Sequence, residues 1–187
     1  MKYIELFAGC GGLSLGLESI GGELLFANEI SPMASETFAY NLLGEDLSKL
    51  AELGEAPQKV KWITSKHSVQ ELDKRLRENV LEAPVYHKSK GDLNKDMSLS
   101  DLEGNLLVGS IVELNRYLSR NKKLTNELCS SDIDLVSGGP PCQSFSLAGL
   151  RQRSNDRNTL PWEFAKFVGK VKPKFAVLEN VTGILRA

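Results

Sequence analysis

A short apolar run, Lys2 to Phe7, opens directly onto Gly9, Gly11 and Gly12, and beyond them Leu13, Leu17 and Ile20 recur at i, i+4 and i+7. Such a run, followed by a glycine turn and a helical period, reads as strand, tight turn and helix. The unit then repeats. Gly21-Gly22 closes the helix, Leu24 to Asn28 reads as a second strand, and Ser31-Pro32 supplies an N-cap with proline at the first helical position. Ala34, Phe38 and Leu42 line one face of the helix so begun. Strands alternating with helices across short connections bury their apolar faces as a parallel sheet covered by helices.

The rhythm breaks from about residue 44 to 103, a stretch dense in charge, poor in strand-like alternation and long for a connection in this kind of fold. It is expected to be an insertion at the edge of the sheet, with Glu71 to Leu81 helical. The alternation then resumes. Leu106 to Val108 reads as a third strand, Val112 to Leu118 as a helix, and Ile133 to Val136 as a fourth strand. A polar loop runs to about Asn158, a helix passes through Trp162, Phe164, Ala165 and Val168, and Phe175 to Leu178 reads as a fifth strand. The expected fold is α/β, a doubly wound, Rossmann-like parallel sheet of five strands, with residues 1–187 forming part of one domain that carries the stretch at about 44–103 as an insertion.

Composition narrows the class. Hydrophobic residues at 41% and charged residues at 25% are those of a soluble globular chain. No apolar run approaches the ~20 residues of a membrane span, and no export signal opens the chain. Cys10, Cys129 and Cys142 show no paired spacing, which argues against a disulfide framework or a zinc site and for a reducing, cytoplasmic compartment. A net charge of −1 means that any nucleic-acid contact must use locally concentrated positive charge.

Ligands of such sheets bind beyond the carboxyl ends of the strands, so the residues there matter most. The first strand ends in Phe7-Ala8-Gly9-Cys10-Gly11-Gly12, where missing side chains let a ligand approach the backbone. The second ends in Glu29, twenty residues after Gly9, an acid able to accept from ribose hydroxyls. Together they point to an adenosine-containing cofactor. A dinucleotide turn would want a third glycine or alanine where Ser14 stands, and that pattern serves a pyrophosphate. Its absence favours S-adenosylmethionine over a nicotinamide or flavin. The fourth strand leads into Gly139-Pro140-Pro141-Cys142-Gln143-Ser144, two prolines holding the backbone before a thiol. A lone cysteine is usually a small inert hydrophobe, the reading given to Cys129 and to the Cys10 thiol. Cys142 sits in surroundings too polar and constrained for that. The fifth strand ends in Glu179-Asn180-Val181, which sets a carboxylate beside the thiol if the two strands are neighbours. A buried carboxyl of raised pKa could there hydrogen-bond a ring nitrogen, the plainer reading being a surface residue at a strand end.

Glu5-Leu6-Phe7-Ala8-Gly9-Cys10-Gly11-Gly12, Asn28-Glu29, Pro141-Cys142-Gln143, Asp156-Arg157-Asn158-Thr159-Leu160 and Glu179-Asn180-Val181 resemble, in order, the motifs of the DNA cytosine-5 methyltransferases of bacterial modification type. The resemblance implies S-adenosyl-L-methionine as methyl donor, no metal, and double-stranded DNA as substrate with the target base flipped out. It implies Cys142 as nucleophile toward cytosine C6 and Glu179 at N3. It places Phe7, Gly9, Cys10 and Gly11 around the methionine portion and Glu29 on the ribose. Ile30 and Ile111 would flank the adenine, with Pro141 and Leu160 completing the wall. Family members usually carry Asp at the end of the third strand for the adenine amino group. Here Gly109-Ser110-Ile111 offers Ser110, with Gly91-Asp92-Leu93 as a rival lacking an obvious strand before it. Gln143, Ser144 and Asn180, and the loop arginines Arg151, Arg153 and Arg157, would meet the DNA; an arginine-bearing loop is otherwise ordinary solvated surface.

Family members continue past the point reached by Ala187 with a target-recognition region and a late segment that closes the cofactor pocket. Neither has a counterpart here, so the expected forms are a truncated product, a piece of a longer one, or one chain completed by a C-terminal partner, with self-association through the fifth strand. The resemblance also suggests a restriction–modification system. A tRNA cytosine-5 methyltransferase relative and a non-catalytic S-adenosylmethionine-binding module are the alternatives.

Overall fold

A computed structural model describes residues 1–82, 86–141 and 159–181. Among the described residues six strands form one all-parallel sheet in the order β3-β4-β2-β1-β5-β6: β1 (Lys2–Leu6), β2 (Glu23–Glu29), β3 (Val60–Trp62), β4 (Asn105–Val108), β5 (Leu135–Gly138) and β6 (Phe175–Leu178). The α/β expectation holds. The count of five strands does not, because β3 arises inside the charged stretch at 44–103. Val-Lys-Trp is too short to show a period. It becomes a strand because Lys61 and its neighbours pair with Leu106 to Val108 of β4.

The helices are α1 (Gly12–Ser19), α2 (Pro32–Phe38), α3 (Leu47–Leu53), α4 (Leu72–Arg75), α5 (Ile111–Arg120), α6 (Lys122–Ser130) and α7 (Leu160–Val171). Ser31 caps α2 as its sequence predicts, its hydroxyl accepting from Ala34 N–H at 3.3 Å with Pro32 behind it. A single π-helical stretch, Ala39–Leu43, carries that helix on to Leu42 and Leu43. The helix expected at Glu71 to Leu81 is α4 and a separate 3₁₀ turn, Val80–Glu82. α6 has no counterpart in the sequence reading, since only Leu124 and Leu128 of its nine residues are buried. No helix among the described residues is long and apolar enough to cross a membrane.

Parallel strands bury both faces, and β1 shows it: Tyr3 through Leu6 are all buried. On one face Ile4, Leu6, Phe26, Leu107 and Val136 pack against α5, α6 and α7, with Phe26 and Phe167 edge-to-face at 6.2 Å between ring centroids. On the other, Ala27, Trp62, Leu106 and Val108 pack against α2, α3 and α4.

α1 departs from expectation. Leu13 and Ile20 were to form its buried face, yet both are exposed, Ile20 at 74%, and Ser14 is the residue it buries. The reason is a polar contact: the Ser14 hydroxyl donates to the buried Glu5 carboxylate on β1, and Tyr3 Oη donates to Ser14 O at 3.5 Å. Those bonds turn the serine edge of the helix to the sheet. β6 lies at the sheet edge with all four residues exposed, Phe175 at 71%.

Candidate functional site

The order of strands reverses at β1: β2, β4 and β3 lie outward on one side and β5 and β6 on the other. A crevice at the carboxyl ends of the central strands follows from that reversal, and the turns after β1, β2, β4, β5 and β6 converge on it.

The β1 turn is built by backbone that other residues would resist. Phe7 (φ 57°), Gly9 (φ 55°) and Gly11 (φ 89°) all lie in the left-handed region. A Cβ at Gly11 would collide with Leu42 Cδ1 and lie 2.9 Å from Phe38 Cδ2, whereas one at Gly9 would meet nothing within 4 Å. Gly11 is therefore required for packing, and Gly9 leaves open space. The Phe7 ring is half-buried against the main core, and Cys10 is exposed as a free thiol.

Glu29 joins this turn to its neighbours. Its Oε2 accepts from Gly9 N–H at 2.7 Å and its Oε1 from Ser31 N–H at 2.7 Å. Each oxygen keeps further acceptor capacity, so the carboxylate can bind two more donors, the requirement of a ribose diol. Its carbonyl accepts from Gly109 N–H at 2.8 Å. Asn28, not assigned a role from sequence, is buried beside it; its Nδ2 donates to Leu107 O at 2.8 Å and Gly109 O at 3.0 Å.

Ser110 stands at the carboxyl end of β4, next to the end of β2, half-buried, as N-cap of α5. Its Oγ accepts from Val112 N–H at 3.2 Å, leaving its own proton and a lone pair. The rival Asp92 is committed elsewhere: its Oδ2 accepts from Trp62 N–H at 2.8 Å and from Arg75 Nη1 at 2.8 Å. Ile30 is half-buried at the mouth, but Ile111 is 3% exposed and belongs to the main core, so it offers little surface to a ring. Leu160, half-buried at the start of α7, leans on the same core.

At the other side β5 and β6 are neighbours in register, Gly138 opposite Leu178. Glu179 N–H donates to Gly138 O at 3.0 Å, and a Cβ on Gly139 would lie 3.1 Å from Glu179 Oε2. The carboxylate thus rests on the Gly139 backbone, three residues before Cys142. Glu179 is exposed, not the buried carboxyl that its sequence position suggested, because it follows the edge strand. Asn180 ties the two turns together, its Nδ2 donating to Pro140 O at 2.9 Å. That bond makes Asn180 a strut for the Pro-Pro turn. Pro141 is exposed beyond it. Cys142, Gln143, Ser144, Arg151, Arg153 and Arg157 lie outside the described residues.

Glu5, in the middle of β1, is a buried acid. Burial raises its carboxyl pKa, the Ser14 hydroxyl opposes that rise, and the Glu29 charge adds to it. A carboxylate inside an otherwise apolar strand was the available signal.

A family model described as C-5 cytosine-specific DNA methylase matches residues 1–65 and 114–187. It passes over 66–113, which includes α4, β4 and Ser110. The type II methyltransferase M.DdeI of Desulfomicrobium norvegicum is 30% identical over 185 residues, covering 99% of this chain and 29% of that protein. The type II methyltransferase M.HindV of Haemophilus influenzae is 27% identical over 187 residues, covering 100% of this chain and 40% of that protein. The chain therefore spans well under half the length of these curated relatives. A solved E. coli structure assigned as a prophage-encoded DNA modification methyltransferase shares the fold, with a TM-score of 0.50 at 22% identity over 99% of this chain and 33% of its own. With these matches laid over the motif-bearing strand ends, the chain belongs to the C-5 cytosine-specific DNA methylase family.

Proposed function

We propose that this chain is the cofactor-binding and nucleophile-bearing part of an enzyme that methylates C5 of cytosine in double-stranded DNA, with S-adenosyl-L-methionine as donor. The observation that carries the reading is the adjacency of the β5 and β6 ends, which sets Glu179 against Gly139 on the turn leading to Cys142. The donor set suits the cofactor. Gly9 leaves room for a ligand against the backbone, Glu29 retains two acceptor positions for ribose hydroxyls, and Ser110 can accept from an adenine amino group one strand away. Phe7, Cys10 and Gly11 would bound the methionine portion, with Ile30, Pro141 and Leu160 around the adenine and Ile111 behind it.

Bound S-adenosylmethionine supplies a methyl group on a sulfonium, and the protein must make C5 nucleophilic enough to take it. The Cys142 thiolate adds to C6, forming a C–S bond while the C5–C6 π electrons become available at C5. Glu179, in its protonated form, would donate its proton to N3, so that the negative charge that addition sends into the ring is taken up there, and would recover that proton when the thiolate leaves. Once C5 carries the methyl group, transfer of its proton to a solvent base, water or hydroxide, restores the double bond and expels the Cys142 thiolate, so the enzyme is regenerated. C6 cannot be attacked inside a stacked duplex, which requires the base to be flipped out. Gln143, Ser144 and the cations Arg151, Arg153 and Arg157 would meet the DNA around the flipped-out base and its phosphates. The type II relatives support a modification enzyme of a restriction–modification system.

A duplex carrying 5-fluorocytosine tests the chemistry, because fluorine blocks the final proton loss and traps the covalent adduct. In the intact enzyme that contains this chain, the adduct is expected on Cys142, to vanish in Cys142→Ser and to persist in Cys10→Ser, whereas the chain by itself is expected to show little or no turnover. An adduct on another residue refutes the assignment, and transfer to tRNA in place of DNA refutes the substrate.

A further inference from the structure

Asn28 lies at the end of β2, 2% exposed, and takes no part in the chemistry proposed above. Both hydrogens of its amide are used at the carboxyl end of β4, one on the strand and one on the turn that follows. Nδ2 donates to Leu107 O at 2.8 Å and to Gly109 O at 3.0 Å. Its main-chain carbonyl accepts from Ala8 N–H at 3.0 Å, on the β1 turn. One residue therefore bridges the glycine turn after β1 and the turn after β4, while Glu29 binds the same two turns through Gly9 and Gly109 N–H.

The β4 turn needs holding. Gly109 has φ +145°, a conformation that L side chains rarely adopt, and a Cβ there would come within 2.9 Å of Ile63 Cβ. Its carbonyl belongs to the peptide plane that leads into Ser110. Holding that oxygen fixes the plane, and with it the direction in which Ser110 leaves the strand. Ile63 packs against Gly109, and Ile63 N–H donates to Val108 O at 2.8 Å.

We infer that Asn28 is a positioning residue: by holding the Gly109–Ser110 peptide plane against the β1 turn, it sets the span between Glu29 and Ser110 that receives the nucleoside. The inference rests on the proposed cofactor reading. Asn28 touches no ligand in this scheme and acts through Ser110. An asparagine that merely satisfies two buried carbonyls would affect stability alone, so the distinguishing quantity is coupling to Ser110.

The test is a double-mutant cycle on the full chain, with S-adenosylhomocysteine as the probe and titration calorimetry as the readout. Asn28→Ser keeps one donor and is measured beside Asn28→Ala, with circular dichroism establishing that each is folded. Asn28→Ala is expected to weaken binding about tenfold, the scale of losing well-placed hydrogen bonds, and Asn28→Ser by less. In the Ser110→Ala background the same Asn28 changes are expected to cost no more than about twofold. Equal losses in both backgrounds, or no loss in either, would overturn the inference while leaving the cofactor reading intact. Absence of binding by the unaltered chain would overturn both. If Asn28→Ala does not fold, the Asn28→Ser cycle decides the matter on the same criterion.

Discussion

Replacing Arg75 with Met removes a guanidinium that is fully buried and keeps most of its volume. In the native chain Nη1 bonds Asp92 Oδ2 at 2.8 Å, Nη2 bonds Lys90 O at 2.8 Å, Nε bonds His67 O at 3.1 Å, and Cζ lies 5.3 Å from the Trp62 ring centroid. The variant leaves two carbonyls without these donors and Asp92 without its cation. Breaking a buried ion pair from one side costs about 3–5 kcal/mol. Asp92 is 20% exposed and keeps its bond from Trp62 N–H, which places the loss at the lower end. The cation–π contact adds about 1 kcal/mol. The expected total is about 3–4 kcal/mol, or a fall in melting temperature of roughly 10 °C for a chain of this size. Urea unfolding followed by circular dichroism measures it, and limited proteolysis is expected to open first between His67 and Asp92. Arg75→Met with Asp92→Asn is expected to lose less than Arg75→Met alone, because no unpaired carboxylate remains. A cost under about 1 kcal/mol for Arg75→Met, or a double variant weaker than the single, refutes the view that this guanidinium holds the 63–92 stretch to the sheet edge.

Glu5→Gln tests the buried acid. Burial raises the folded-state pKa of Glu5 above its unfolded value, so its contribution to stability is full at low pH and is lost as pH rises through the folded pKa. The glutamine variant, neutral throughout, is expected to melt a few degrees above the native chain at pH 8 and to lose that advantage toward pH 4; a difference that does not vary with pH refutes the account. The exposed apolar edge strand β6 is expected to drive concentration-dependent self-association, with the mean mass from light scattering rising across a dilution series and Ala176→Lys suppressing the rise. A clean monomer at high concentration refutes it.

Adjacent residues were enough to announce the local elements. Ser31-Pro32 starts a helix through its own hydroxyl and ring, and the apolar runs at β1, β2, β4 and β6 carry a strand signal in their own side chains. Gly9, Glu29, Pro141 and Glu179 could be placed at the strand ends for the same reason, since each closes such an element. Other features depend on partners far along the chain. β3 is a strand only because β4 lies beside it, and β4 begins more than forty residues later. Asp92 looked like a ligand in sequence. Arg75 and Trp62, seventeen and thirty residues before it, claim its carboxylate. Leu13 and Ile20 had the right period for a buried face, but the Ser14 hydroxyl found Glu5 and turned the helix. Asn28 could be read as a strand-end asparagine and no more, because the carbonyls it holds lie about eighty residues away. Periodicity and capping are written in neighbouring residues, whereas the partner of a buried polar group is chosen by the sheet order, which only the folded chain decides.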